Sequence, residues 1–180
     1  YKSDLQGQCD SISYNISDST IEMHGTPILW SEQNQLTAER IDIRTANNKI
    51  HSLFLDVDAF IISEVDSLRF NQIKGKEMTG YFKNSQLSFI QVVGNGQTTY
   101  WGLDEKDKFI GVNVAESSDI NISLKDNAIN SISFLNQPKA SMHPMGELDP
   151  VKDLRYKGFK WLIELRPLRK EDVFDSKNRN

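Results

Sequence analysis

Four polar pairs, Asp18-Ser19, Asn47-Asn48, Asn84-Ser85 and Asp126-Asn127, punctuate the chain, and the same apolar alternation precedes each one. Asn, Asp and Ser favour turns because their side chains bond nearby backbone, and Asn and Asp tolerate positive φ. Alternate positions leading into the pairs hold Ile12, Tyr14 and Ile16, then Ile41, Ile43 and Thr45, then Met78, Gly80 and Phe82, then Ile120, Ile122 and Leu124. A period of two with one apolar face is the pattern of a half-buried strand. The residues between them, such as Ser13, Asn15, Asp42, Arg44, Asn121 and Ser123, form a mostly polar face that should meet water.

An apolar residue returns after every turn, at Ile21, Ile50, Leu87 and Ile129. In the last three units Ile50, Leu53 and Leu55 match Leu87, Ile90 and Val92, and also Ile129, Ile132 and Phe134. A three-residue step followed by a two-residue step breaks strand parity. It predicts a bulge or corner just after the turn. The first unit departs from this, with Met23, His24 and Gly25 before Thr26-Pro27.

Each unit therefore reads as two antiparallel strands of about ten residues, longer than the usual five or six. Residues 1–143 form the β-repeat domain, with strands in simple up-and-down order. One apolar face per strand needs a partner face, and a single long sheet creased along its length supplies it. The predicted inner face is Ile12, Tyr14, Ile16, Ile41, Ile43, Leu53, Leu55, Met78, Phe82, Ile90, Val92, Ile120, Ile122, Leu124, Ile132 and Phe134. Alternating Ile, Leu and Phe close a core as readily as they line a trough. The ends of such a sheet are open edges that can template further strands. Residues 144–180 are different: Pro144, Pro150 and Pro167 punctuate them. Asp149-Pro150 is an N-cap and N1 pair, so short helices are expected at 150–156 and 159–165, stopped by Pro167. The polar end from Asp175 to Asn180 should fray.

Composition excludes several classes. A net charge of −4 offers no basic stripe for nucleic acid. The longest apolar runs, such as Ala59 to Ile62, are too short to span a bilayer. Cys9 is the lone cysteine, so no internal disulfide forms. The bulky Gln8 before it argues against lipidation, and the start at Tyr1 is that of a fragment or mature form. His24, His51 and His143 lack metal-ligand spacing. Asp56 and Asp58, and the cluster Asp104, Glu105 and Asp107, lack the Gly and Glu of an EF-hand and read as solvated. Gly94-Asn95-Gly96 opens no helix, so it marks a bend in a long strand rather than a phosphate loop. No acid/base or nucleophile constellation appears, so the chain reads as a non-enzyme without cofactor or metal.

Longer stretches add a resemblance. Thr26-Pro27-Ile28-Leu29-Trp30 and Asn34 to Ile41 resemble the OstA-like pattern. Gly75 to Phe82, Val93 to Thr98, Asn113 to Ile122 and Lys157 to Pro167 resemble its Bacteroides-type version. The resemblance covers nearly the whole chain and is most specific from Asn71 to Pro167. It implies an all-β creased antiparallel sheet, a β-taco or open β-jellyroll. It also implies a periplasmic protein of lipopolysaccharide transport to the outer membrane, association with that membrane being left open. Acyl chains would lie in the apolar trough, like-folded domains would join end to end through open sheet edges, and there would be no catalytic residue or cofactor. Rim lysines such as Lys74, Lys76 and Lys83 would offset the net negative charge toward phosphates.

Two other classes compete. A structural or adhesive β-repeat would have a closed core, and a carbohydrate-binding module would expose Trp30, Tyr100 and Trp101 as a stacking platform. Circular dichroism separates none of these, but it tests the common premise: a spectrum of mainly strand with a small helical share is expected, and a predominantly helical one overturns it.

Overall fold

A computed structural model describes residues 5–47, 49–83, 86–125, 128–169 and 171–174. These residues form a 12-stranded antiparallel sheet. The strands are β1 (Leu5–Gln8), β2 (Ser11–Asn15), β3 (Thr20–His24), β4 (Ile28–Ser31), β5 (Asn34–Thr37), β6 (Arg40–Ala46), β7 (Lys49–Glu64), β8 (Phe70–Lys83), β9 (Gln86–Leu103), β10 (Phe109–Lys125), β11 (Ala128–Leu135) and β12 (Lys139–Pro144). The short strands are halves of long ones. β1 runs on into β2, β3 into β4, β5 into β6 and β11 into β12, with a break of two or three residues each time. The path is thus a meander of long passes, as the repeated turns predict. Of those turns, Asp18-Ser19 and Asn47 are described; Asn48, Asn84-Ser85 and Asp126-Asn127 lie outside the described residues, as do Asp175 to Asn180.

The breaks line up into a crease that divides the sheet into two wings. The first wing holds β2, β3, β6, β11 and residues 49–56, 77–83, 86–93 and 119–125 of the long strands. The second holds β1, β4, β5, β12 and residues 59–64, 70–75, 97–103 and 109–116. Every second pass turns the corner with two consecutive left-handed residues: Gly25-Thr26, Val57-Asp58, Gly94-Asn95 and Asn136-Gln137. The passes between them carry fewer residues at the corner, a two-against-one mismatch that defines a bulge and sharpens the bend. Backbone bonds close these corners: Glu39 N–H donates to Val57 O at 3.0 Å and Ser118 N–H to Asn136 O at 3.2 Å. Asn and Gly tolerate left-handed backbone, whereas β-branched Val57 at φ 62° is held there against its preference. Gly96 is needed for close approach, since a Cβ there would stand 2.7 Å from Ile120 Cγ1.

The parity change after the turns is a bulge, as the sequence predicts. Register shifts by one residue opposite Arg44/Thr45, Tyr81/Phe82 and Ser123/Leu124, which leaves His51, Ser88 and Asn130 unpaired. Between bulge and crease the inner face is continuous. Ile12 pairs with Met23, Met23 with Ile41, Ile41 with Leu55, Leu55 with Met78, Met78 with Val92, Val92 with Ile120 and Ile120 with Phe134. The second wing folds over this face with Leu29, Leu36, Ile61 and Ile73, and the two wings share one apolar cluster.

The tail corrects an expectation. Neither helix at 150–156 nor at 159–165 forms; residues 150–153 make a turn, and Ile163–Leu165 and Glu171–Phe174 are single 3-10 turns. Asp149 does cap its turn, accepting from Val151 N at 2.8 Å and Lys152 N at 3.1 Å, and these bonds hold its carboxyl below the usual range. The chain beyond it instead crosses the outer face of the second wing as an extended strap. Phe60, Ile62 and Phe70 pack under Tyr156, Phe159 and Trp161, and Trp101 and Val112 under Leu154 and Leu148. An isolated extended segment has unpaired backbone groups, and two buried glutamines satisfy them. Gln72 donates to Leu154 O at 2.8 Å and accepts from Tyr156 N at 3.1 Å. Gln35 donates to Lys160 O and accepts from Leu162 N, both at 2.7 Å. Arg166 Nε reaches Gln6 Oε1 at 2.7 Å, so the strap ends on β1. Gln72→Leu keeps the volume but strands one buried donor and one buried acceptor. Urea unfolding is expected to show a loss of about 2–4 kcal/mol, with faster proteolysis between residues 148 and 168.

Candidate functional site

A cavity of about 520 Å³ opens between the wings, on the side away from the crease. Next to the crease the wings meet directly: Ile41, Leu55, Met78, Val92 and Ile120 are at most 1 % exposed. Further out they diverge. Ile50, Leu53, Phe82, Leu87, Ile90, Ile122, Leu124 and Ile129 line the cavity from the first wing, and Leu5, Leu36, Ile61 and Ile73 from the second. The bulges matter here, because they return Ile50, Leu87 and Ile129 to the inner side beyond the parity break. The volume lies within the range of about 300–1,000 Å³ common for small-molecule sites. The structure thus combines both sequence alternatives, a closed core near the crease and a trough beyond it.

The predicted inner-face residues fall into three groups. Ile41, Ile43, Leu53, Leu55, Met78, Ile90, Val92, Ile120 and Ile122 are buried in the shared cluster. Phe82, Leu124, Ile132 and Phe134 are half-buried and pack against it. Ile12 and Tyr14 face inward by register but are 66 % and 56 % exposed, because β2 is an edge strand with little opposite it. Ile16 is a correction: it sits past the end of β2 in the turn, 81 % exposed, and belongs to no inner face.

The rim lysines are also redistributed. Lys74 is not at the rim; it lies on the outer face, where its Nζ donates to Lys157 O at 2.6 Å and stands 5.5 Å from the Phe60 ring. Lys76 sits at the crease beside Glu77, 3.2 Å away. Lys83 ends β8 and is exposed. The aromatic platform does not form. Trp30 is fully buried and Trp101 is 5 % exposed under the strap, with Arg69 stacked 5.3 Å from its ring. Only Tyr100 of the three lines the cavity.

The polar clusters singled out in the sequence are structural. Arg40 bridges Asp42 at 3.3 Å and Asp56 at 3.0 Å on the outer face of the first wing. Burial raises the Asp42 carboxyl there despite that arginine. Asp58 turns the crease. Asp104 closes its own loop, accepting from Lys106 N at 2.8 Å and Lys108 N at 2.9 Å. Burial raises the Cys9 thiol at the start of the crease. Ser141, His143 and Glu147 make a hydrogen-bonded chain of 2.8 and 3.0 Å, on exposed edge strand β12 and its following turn rather than in the cavity. Among the described residues no group of His, Cys, Asp and Glu is arranged to hold a metal ion.

What sequence reasoning missed is the second wing's share of the trough, Leu5, Leu36, Ile61 and Ile73. One signal was available: Ala59-Phe60-Ile61-Ile62 is a continuous apolar run, the mark of a strand buried on both faces.

No family model matches the sequence, and no curated protein matches it. Among solved structures, one match is LptH of Pseudomonas aeruginosa, described as the LptA-homologous periplasmic component of the conserved lipopolysaccharide transport device. The TM-score is 0.56 at 12 % identity, over 78 % of this chain and 97 % of that one. At that identity the likeness is one of fold.

Truncations distinguish sealed core from trough wall. Ile120→Ala is expected to cost about 2–5 kcal/mol, as deletions in filled cores do. Leu124→Ala, on the cavity wall, should cost less than half of that in the same denaturant titration.

Proposed function

We propose that this chain is a periplasmic member of the OstA-like family that takes part in lipopolysaccharide transport, holding the acyl part of the lipid in its trough. The observation that carries this reading is the apolar cavity between the wings, open where the fold could have closed. Leaving Phe82, Leu87, Leu124 and Ile129 half-buried forgoes stabilisation that a filled core would supply. An acyl chain recovers it, gaining about 0.8 kcal/mol per buried CH₂. The fold shared with LptH, whose own description places it in lipopolysaccharide transport, supports the same assignment. A Bacteroides-type member is the finer reading, and it rests on the residue runs from Gly75 to Pro167.

Neighbouring domains would join through the sheet edges. All of β2 is exposed at one end, and β11 and β12 form the other. Free backbone groups on such strands accept another strand.

Photo-crosslinking in cells that make the lipid tests the trough. A probe at Phe82 or Leu124 should yield lipid adducts. A probe at Ser123, whose Oγ lies 2.7 Å from Ser131 Oγ on the outer face, should not. Equal labelling at the three positions, or none, would favour a structural repeat instead.

A further inference from the structure

The strap concentrates positive charge on the side of the second wing that the trough does not use. From Leu154 to Leu162 it carries Arg155, Lys157 and Lys160 and no acid, in a chain whose net charge is −4. Lys74 adds a fourth cation from the sheet beneath, its Nζ donating to Lys157 O at 2.6 Å. Among the described residues none of these four is ion-paired with a carboxylate, whereas Arg40, Arg69, Lys76, Lys139 and Arg169 all are. Nearby acids have other partners. Asp149 and Asp153 accept backbone N–H bonds in the turn before the strap, and Glu116 on β10 holds Lys139 at 3.6 Å. Glu64 at the rim and Glu164 in the first 3-10 turn form no ion pair with the four cations.

Backbone seating fixes where the charges point. Leu154, Tyr156, Phe159 and Trp161 turn down onto the wing, and Lys157 and Lys160 stay exposed. The bonds that hold the strap use the carbonyls of Lys157 and Lys160, so both ammonium groups are left to face outward. Arg155 lies 4.6 Å from the Phe159 ring and 5.7 Å from that of Phe70, a stacking that orients its guanidinium without cancelling its charge. Gln72 on β8 and Gln35 on β5 pin the strap on either side of β7, so the array extends about 10 Å across the sheet at the usual strand spacing. Past the cations the strap exposes hydrocarbon: Ile163 is 39 % and Leu168 75 % exposed, in a run that also holds Arg166 and Arg169.

Such an array does not converge on a point, as capture of one phosphate would require. Cations laid out along a surface, half-buried aromatic rings between them and exposed aliphatic side chains at one end match a bilayer interface that carries negative headgroups. We propose that the strap is a membrane-docking face, which seats the outer side of the second wing on an anionic phospholipid bilayer. The trough opens away from the crease, so its mouth would then face along the membrane rather than into it. This inference stands apart from the acyl-binding reading, because the strap and the trough occupy opposite sides of the wing.

Vesicle sedimentation of the whole chain tests it, with vesicles of phosphatidylcholine alone or mixed with phosphatidylglycerol. The protein is expected to sediment with the mixed vesicles, much less with the neutral ones, and less again as salt is raised. Lys157→Gln combined with Lys160→Gln should weaken binding about twentyfold, at roughly fivefold per cation close to an anionic surface. Both side chains are exposed, so the fold should persist, which circular dichroism checks. Lys106→Gln combined with Lys108→Gln, in the exposed loop after β9, changes the net charge equally and should leave binding as it was. Equal binding to both kinds of vesicle, equal losses in the two double variants, or no binding at all would each overturn the docking face. Retention on immobilised polyglutamate without vesicle binding would also overturn it and reassign the patch to an acidic protein.

Discussion

The corner that every strand turns at the crease is the constraint on which the rest depends. A sheet folded on itself buries its apolar face only if that face points inward on both sides of the fold. Side chains alternate with a period of two, so any odd number of residues at the corner reverses the face. The chain solves this with two alternating devices. Passes with two left-handed residues keep their parity: Leu53 and Leu55 face in before Val57-Asp58, and Ala59 and Ile61 face in after it. Intervening passes change parity: Ile73 faces in on one side of Lys76 and Met78 on the other. The mismatch between neighbours is what bends the sheet.

That geometry makes the wings unequal. The first wing has a polar outer face, with Ser13, Glu22, Asp42 and Thr79 in cross-strand register around Phe54, and needs no cover. The second wing is apolar on both faces and would expose Phe60, Ile62, Phe70 and Trp101 without the strap. Covering a sheet with extended chain is harder than covering it with a helix, because an extended segment does not satisfy its own backbone. Gln35 and Gln72 resolve this, each serving as donor and acceptor for residues two apart in the strap. The strap runs from β9 and β10 to β1 and so ties together strands far apart in the sheet. The second wing is thus packed on both faces, and the first has only its inner face to hold it.

The trough follows from the same divergence. Apolar rows seal the crease, and the cavity begins where the wings separate. Bulges after the turns extend the hydrocarbon wall of the first wing by one row, through Ile50, Leu87 and Ile129. A bulge placed to re-aim side chains at a rim is a common use of that irregularity. On the second wing the matching row is mostly polar, with Ser31, Asn34, Ser63, Asn71 and Tyr100 beside Leu5.

The sequence by itself determined the meander of strands and most inward residues of the first wing, though Ile16 lies past the end of β2 and Met23 takes an inner position the pattern did not mark. Four similar turns and a strict alternation suffice for that, since parity is a local property of extended backbone. It also located the bulges, because a three-residue step in the pattern has no other simple meaning. It marked one corner of the crease, at Gly94-Asn95, but not the corner at Val57-Asp58, because β-branched Val57 has no left-handed preference. Nor did it separate the faces of Ala59 to Ile62, because a strand buried on both sides has no alternation to read. Asp149-Pro150 is a sound helix start, yet the strap is extended, because Tyr156, Phe159 and Trp161 gain more by packing on the second wing than a short helix gains alone. Exposure of Ile12, Tyr14 and Ile16 was likewise a tertiary outcome: the residues have core chemistry, but an edge strand and a turn have no second wing to cover them.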